Sequence, residues 1–131
     1  MDNKVMKRAR ILVVEDESDL NLLFHLTLER EGFEVDTYED PLSALSHFTP
    51  NSYDLVILDI KMPKMNGFEL YYRIKKIDDK VKICFLTASE MYYEEYRKSI
   101  HFTFDKNLFL RKPIENKDLI KEINRMLQLN Q

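Results

Sequence analysis

Polar residues stand where apolar runs stop. Glu15 and Asp16 follow Ile11-Leu12-Val13-Val14, Asp59 follows Leu55-Val56-Ile57-Leu58, Thr87 follows Ile83-Cys84-Phe85-Leu86, and Lys112 follows Leu108-Phe109-Leu110-Arg111. Acids, a hydroxyl and an amine suit phosphoryl chemistry if they meet. Two carboxylates about 5 Å apart repel by roughly 3 kcal/mol at an effective dielectric of about 20, so three together call for a cation. Hard oxygen ligands with room for water fit Mg²⁺, which takes carboxylates plus phosphate oxygens. No His or Cys stands at these run ends, which argues against a zinc or iron centre. A carboxylate beside Mg²⁺ and a lysine can attack a phosphoryl group and form an aspartyl phosphate. The lysine is a point donor for a phosphoryl oxygen, and the Thr87 hydroxyl could swing in to bond the added charge.

The elements that must hold these groups follow from periodicity. The continuous apolar runs read as strands buried on both faces, the pattern of interior strands in a parallel sheet. Phe33 to Tyr38 alternates apolar and polar residues, as an edge strand with one wet face would. Ser18 or Asp19 can cap a helix in which Leu20, Leu23, Phe24 and Leu28 recur at helical spacing, with Gly32 to stop it. Asp40-Pro41 opens a short helix to Thr49 with Leu42, Leu45 and Phe48 inward. Met62, Pro63 and Asn66-Gly67 belong to a loop, and the next helix runs from about Gly67 to Lys76 with Phe68, Leu70, Tyr71 and Ile74. An aromatic-rich stretch with Met91, Tyr92, Tyr93, Tyr96, Phe102 and Phe104 predicts a helix to about His101. A last helix spans Glu115 to Leu127, its stripe formed by Leu119, Ile120, Ile123, Met126 and Leu127.

Five strands alternating with five helices demand right-handed crossovers and a doubly wound α/β domain, a parallel sheet with helices on both faces. In such a sheet the carboxyl ends of the strands share one edge, where ligands bind. The polar run ends therefore converge.

With 131 residues, 44% apolar and 33% charged, one soluble domain over 1–131 is expected, with a flexible polar lead-in over 1–8 and no effector domain. The net charge of -3 argues against a nucleic-acid surface, and the cluster Lys4, Lys7, Arg8 and Arg10 reads as a solvated lead-in. Cys84, the single cysteine, reads as a buried small hydrophobe. No run approaches the roughly 20 apolar residues of a membrane span and no signal-peptide pattern opens the chain, so a cytoplasmic location without membrane contact is expected. His25, His47 and His101 fall on helices away from the run ends and read as surface or packing residues.

In order and spacing, Ile11 to Glu17, Asp54 to Asp59, Met62-Pro63 with Asn66-Gly67, Leu86-Thr87-Ala88 and Lys112-Pro113 resemble the receiver domains of two-component response regulators, over about Ala9 to Leu127. The resemblance implies a flavodoxin-like (βα)5 fold of strand order 2-1-3-4-5. It further implies Asp59 as phosphoacceptor. The Mg²⁺ ligands would be Glu15, Asp16, Asp59 and the Lys61 backbone carbonyl, with Mn²⁺ as a substitute and Glu15 acting through water. Thr87 and Ala88 would bind the phosphoryl group with Lys112, Phe109 would take the place of the switch aromatic, Lys61 and Ser89 would modulate, and the Lys112–Pro113 peptide would be cis. Such a domain is a switch rather than an enzyme, beyond its own autophosphorylation and autodephosphorylation. It takes its phosphoryl group from a histidine kinase or phosphotransfer protein. It signals to a downstream protein effector, and can pair weakly with itself, through the face of its fourth helix, fifth strand and fifth helix.

Three departures stand out. Phe109 replaces the tyrosine of many relatives, the segment Ser99 to Lys106 lacks the glycine often found there, and Lys61 is an uncommon choice two residues after the acceptor. Lys61 is expected to contact the phosphoryl group or a site acid. Two other readings use the same residues: a phosphatase of the haloacid-dehalogenase type, which needs a second Asp where Lys61 stands, and a phosphorylation-independent binding module.

Overall fold

A computed structural model describes residues 8–88 and 109–128. The helix expected over the aromatic-rich stretch, together with Ser89 and His101, lies outside the described residues.

The three longest apolar runs become the middle of the sheet. β1 (Arg10–Val14), β3 (Leu55–Asp59) and β4 (Lys82–Thr87) are almost entirely buried, and β2 (Glu34–Tyr38) and β5 (Phe109–Arg111) flank them. All neighbours pair parallel, in the order β2-β1-β3-β4-β5. β2 keeps the alternation of a half-wet edge strand.

The helices are α1 (Ser18–Arg30), α2 (Pro41–His47), α3 (Gly67–Ile77) and, among the described residues, α4 (Asn116–Leu127). Successive strand residues point to opposite faces, so each interior strand feeds two cores. Leu12, Val14, Val56, Leu58, Ile83 and Phe85 pack with Ala44, Phe48, Leu70 and Ile74 on the α2–α3 side. Ile11, Val13, Leu55, Ile57, Cys84 and Leu86 pack with Phe24, Leu28, Leu119 and Ile123 on the α1–α4 side. Each Val, Leu, Ile or Phe among them contributes about 1.5–3 kcal/mol when fully buried. Cys84 is one of these core groups, and burial pushes its thiol up to about 12.

Local signals set the helix ends. Asn66 and Glu69 form a reciprocal capping box at the start of α3. Asp40 caps α2 by accepting from the Leu42 amide at 3.1 Å, with Pro41 in the first turn. Gly32, at φ +95°, follows the end of α1 in the left-handed region where glycine costs least.

Several sequence expectations need correction. Neither Ser18 nor Asp19 caps α1. Its N-cap is Glu17, without a side-chain hydrogen bond, and Ser18 Oγ donates to Glu39 instead. Leu23 is 48% exposed, whereas Asn21 and Thr27 are buried. Leucines surround this helix on nearly every side, so its apolar spacing fits more than one inward face. α2 stops at His47 rather than Thr49, because Phe48 turns extended (ψ 131°) to reach the core. Leu42 is 44% exposed, and Pro41 and Ala44 take the inward positions. On that short helix the packing stripe is only about two residues wide. His25 pairs with Glu29 at 3.2 Å on α1, and His47 stacks on Tyr38 at 5.7 Å.

Candidate functional site

At the carboxyl edge of the sheet, Glu15 leaves β1 fully buried and held from several directions. Its amide donates to the Tyr38 carbonyl (3.0 Å), and its Oε2 accepts from the Glu17 amide (3.0 Å). Its carbonyl accepts from Asn21 Nδ2 (3.0 Å). Asp16, the next residue, is half-buried and faces the open depression.

Asp59 is the last residue of β3 and is 4% exposed. The turn after it is tied on both sides: the Ile60 amide donates to the Leu86 carbonyl (3.0 Å), and the Gly67 amide donates to the Ile60 carbonyl (2.8 Å). Ile60, Met62 and Met65 bury their side chains in the α2–α3 core and anchor the loop. Gly67 comes so close that a Cβ there would lie 2.5 Å from the Asp59 carbonyl oxygen.

Lys112 follows β5, its amide donating to the Thr87 carbonyl at 2.8 Å. Its Nζ reaches across the sheet edge to Glu15 Oε1 (2.6 Å), Asp59 Oδ2 (3.3 Å) and Glu17 Oε1 (3.8 Å). The Lys112–Pro113 peptide is cis. One carboxylate oxygen each from Glu15, Asp16 and Asp59 lie within 4.8 Å of one another. A depression of about 470 Å³ opens over them, lined by Asp16, Glu17, Asp59, Lys61, Met62, Pro63, Thr87, Ala88 and Lys112.

The electrostatics match this crowding. Burial first, and then the Glu15 charge, push the Asp59 carboxyl up to about 8, with Lys112 pulling the other way. Burial by itself would lower the Lys112 ammonium, but its contacts with Glu15 and Asp59 outweigh that and hold it above its usual value. A cluster of oxygen donors whose charges are only partly balanced by one ammonium fits a hard divalent cation. The depression leaves room for such an ion and for a phosphoryl-sized group.

The structure thus brings Glu15, Asp16, Asp59, Lys61, Thr87, Ala88 and Lys112 to one edge. Thr87 is buried at the end of β4 and Lys61 is exposed on the rim. Phe109 is half-buried one strand away, stacked on Phe85 with ring centroids 5.1 Å apart. Three participants escaped the sequence reading as site residues. Glu17 lies near Lys112, Gly67 backs onto Asp59, and Asn21 holds the turn after β1. For Gly67 the signal was present, a glycine shortly after a strand-terminal acid. For Asn21 it was a lone amide on the inward stripe of an apolar helix.

The profile of the family described as "Response regulator receiver domain" matches residues 11–124, nearly the whole chain. The chain belongs to the receiver domains of two-component response regulators. This receiver is similar to the response regulator receiver protein CpdR of Brucella abortus, 31% identical over 90% of this chain and 96% of that protein. It is also similar to the transcriptional regulatory protein CpxR homolog of Haemophilus influenzae, 34% identical over 92% of this chain and 51% of that protein. The chain spans about half the length of the first curated relatives it matches. Among solved structures, the non-phosphorylated HemR receiver domain of Leptospira biflexa superposes with a TM-score of 0.77, at 28% identity over 95% of this chain and 98% of that one. The response regulator TrrA of Thermotoga maritima, solved in complex with Mg²⁺-BeF, gives a TM-score of 0.72 at 33% identity over 90% of this chain and 98% of that one. This receiver therefore has the doubly wound fold and the role of a phosphorylation-type switch in two-component signalling. No helix among the described residues is long and apolar enough to cross a membrane.

Proposed function

We propose that Asp59 is the phosphoacceptor of this switch, and that Asp16, Asp59 and the Lys61 carbonyl hold Mg²⁺, or Mn²⁺ in its place, with Glu15 acting through water. One observation carries the reading: the Asp59 carboxylate lies at the floor of the depression, 3.3 Å from Lys112 and within the three-carboxylate cluster. The Mg²⁺-BeF complex of the Thermotoga relative supports the choice of metal. When bound, the ion supplies charge neutralisation for the phosphoryl oxygens.

The donor is a phosphohistidine of a kinase or phosphotransfer protein. The Asp59 Oδ–P bond forms as the P–N bond breaks, and the electron pair stays on the ring nitrogen, which takes a proton from solvent. Lys112 holds a phosphoryl oxygen, and the Thr87 hydroxyl with the Ala88 backbone binds another. Phe109 then shifts against Phe85, and Lys61 and Ser89 tune the lifetime of the acyl phosphate. The signal passes to a downstream protein through the face that includes β5 and the last helix, where a weak homodimer also forms. Beyond autophosphorylation and autodephosphorylation this receiver turns over no substrate.

The test is incubation with Mg²⁺ and acetyl phosphate, followed by intact mass measurement. A base-labile adduct of about 80 Da, the mass of a phosphoryl group, is expected in the wild type and not in Asp59→Ala. No adduct at any Mg²⁺ concentration would leave a phosphorylation-independent binding module.

A further inference from the structure

We propose that Asn21 is a positioning residue for the acidic site: it holds the turn after β1 so that the Asp16 carboxylate faces the depression. The inference rests on the reading of Asp16 and Asp59 as metal ligands, with Glu15 acting through water.

Asn21 is 6% exposed on the face of α1 that otherwise carries Phe24 and Leu28 into the core. An amide buried there costs free energy unless its hydrogen bonds are made, so an apolar residue would serve packing better. Its Nδ2 donates to two carbonyls at 3.0 Å each, those of Glu15 and Tyr38. Both partners are acceptors, so the nitrogen must face them, and the orientation of the amide is not in question. The Tyr38 carbonyl also accepts from the Glu15 amide, so one side chain joins the ends of β1 and β2.

The consequence falls on Asp16. A peptide unit is planar, so fixing one of its polar atoms fixes the plane. The plane preceding Asp16 is held by Asn21 through the Glu15 carbonyl. The plane following it is held by the Glu17 amide, which donates to Glu15 Oε2 at 3.0 Å. The Asn21 backbone amide also donates to the Glu17 carbonyl at 2.9 Å, locking the next unit into the first turn of α1. With the planes on both sides set, the backbone of Asp16 has little freedom, and the direction in which its side chain leaves the chain, toward the depression, is set before any ion arrives. Preorganisation of this kind supports a metal ligand from outside its coordination shell.

The experiment is Mg²⁺ titration calorimetry on the full chain, with thermal unfolding measured in parallel. Asn21→Leu keeps the volume and suits the surrounding face, so it is expected to fold, while Mg²⁺ affinity falls about tenfold, the lower end of what outer-shell changes cost. Asn21→Gln keeps the donor and is expected to recover most of that loss. Leu28→Ala, in the same helix but away from the turn, lowers the melting temperature and leaves Mg²⁺ affinity at the wild-type value. Should Asn21→Leu fail to fold, Asn21→Ala measured at low temperature serves in its place. A folded Asn21 variant that binds Mg²⁺ like the wild type overturns the proposal. So does a loss that Leu28→Ala shares, because general loosening would then explain it. Wild-type protein that binds no Mg²⁺ overturns the proposed metal site itself, and is distinguished by appearing without any substitution.

Discussion

The Lys112 ammonium lies 2.6 Å from Glu15 Oε1, joining the residue after β5 to the residue after β1 across the full edge of the site. Both groups are nearly or fully buried, at 11% and 0% side-chain exposure, so neither charge has water to fall back on. The same ammonium lies 3.3 Å from Asp59. It thus stands in part for the positive charge that the three carboxylates require.

Removing that charge should be costly in a way that cations can repair. Lys112→Ala leaves Glu15 and Asp59 buried without their partner, and breaking a buried pair in this manner typically costs about 3–5 kcal/mol. Chemical denaturation without Mg²⁺ should show a loss of that order, partly recovered by millimolar Mg²⁺. Equal losses with and without Mg²⁺ would separate the lysine from the metal site.

The raised Asp59 carboxyl gives stability a definite pH slope. Its native value of about 8 stands above the ordinary carboxyl value of 3.8, so between these limits the folded protein binds more protons than the unfolded chain. The contribution of Asp59 to stability therefore falls as pH rises through that window. Asp59→Asn removes the buried charge. It should stabilise the Mg²⁺-free protein by on the order of 1–3 kcal/mol above pH 8, with little effect near pH 4, once screening by water in the depression is allowed for. Urea midpoints across this range, wild type against variant, supply the check.

Gly67→Ala sets two effects against each other. Alanine is favoured over glycine by about 1 kcal/mol in a helix interior, and by less at the first helical position, which Gly67 occupies. However, the new Cβ would lie 2.5 Å from the Asp59 carbonyl oxygen and 2.9 Å from Ile60 Cα, both backbone atoms that cannot step aside. The clash wins. A net destabilisation of about 1–3 kcal/mol is expected, along with slower phosphorylation by acetyl phosphate, because the strand end carrying Asp59 has to move.

Two leucines of α1 should behave oppositely. Leu28 is fully buried and Leu23 is 48% exposed. Leu28→Ala should cost about 2–5 kcal/mol and Leu23→Ala within about 0.5 kcal/mol of nothing. Thermal unfolding of the pair would expose an error in the assigned inward face if the order were reversed.

Much of this molecule was legible before any coordinates. The runs Ile11–Val14, Leu55–Leu58 and Ile83–Leu86 read as strands buried on both sides, and a polar residue at the end of each reaches the same edge once the sheet is parallel. Glu15, Asp16, Asp59, Thr87 and Lys112 therefore followed from period and position. The capping signal at Asp40-Pro41 was equally local, because a cap depends on residues within one turn.

What needed the tertiary structure depends on contacts between distant segments. Pattern left the inward face of α1 open; core packing chose Phe24 and Leu28 over Leu23, and the Glu15 and Tyr38 carbonyls drew Asn21 inward. The near contact of Gly67 with Asp59, and the pairing of Lys112 with Glu15 ahead of Asp59, are distances between chain segments, and periodicity carries no distances. The sequence by itself determined which groups share the edge; burial and cross-strand geometry decided how their charges are balanced there.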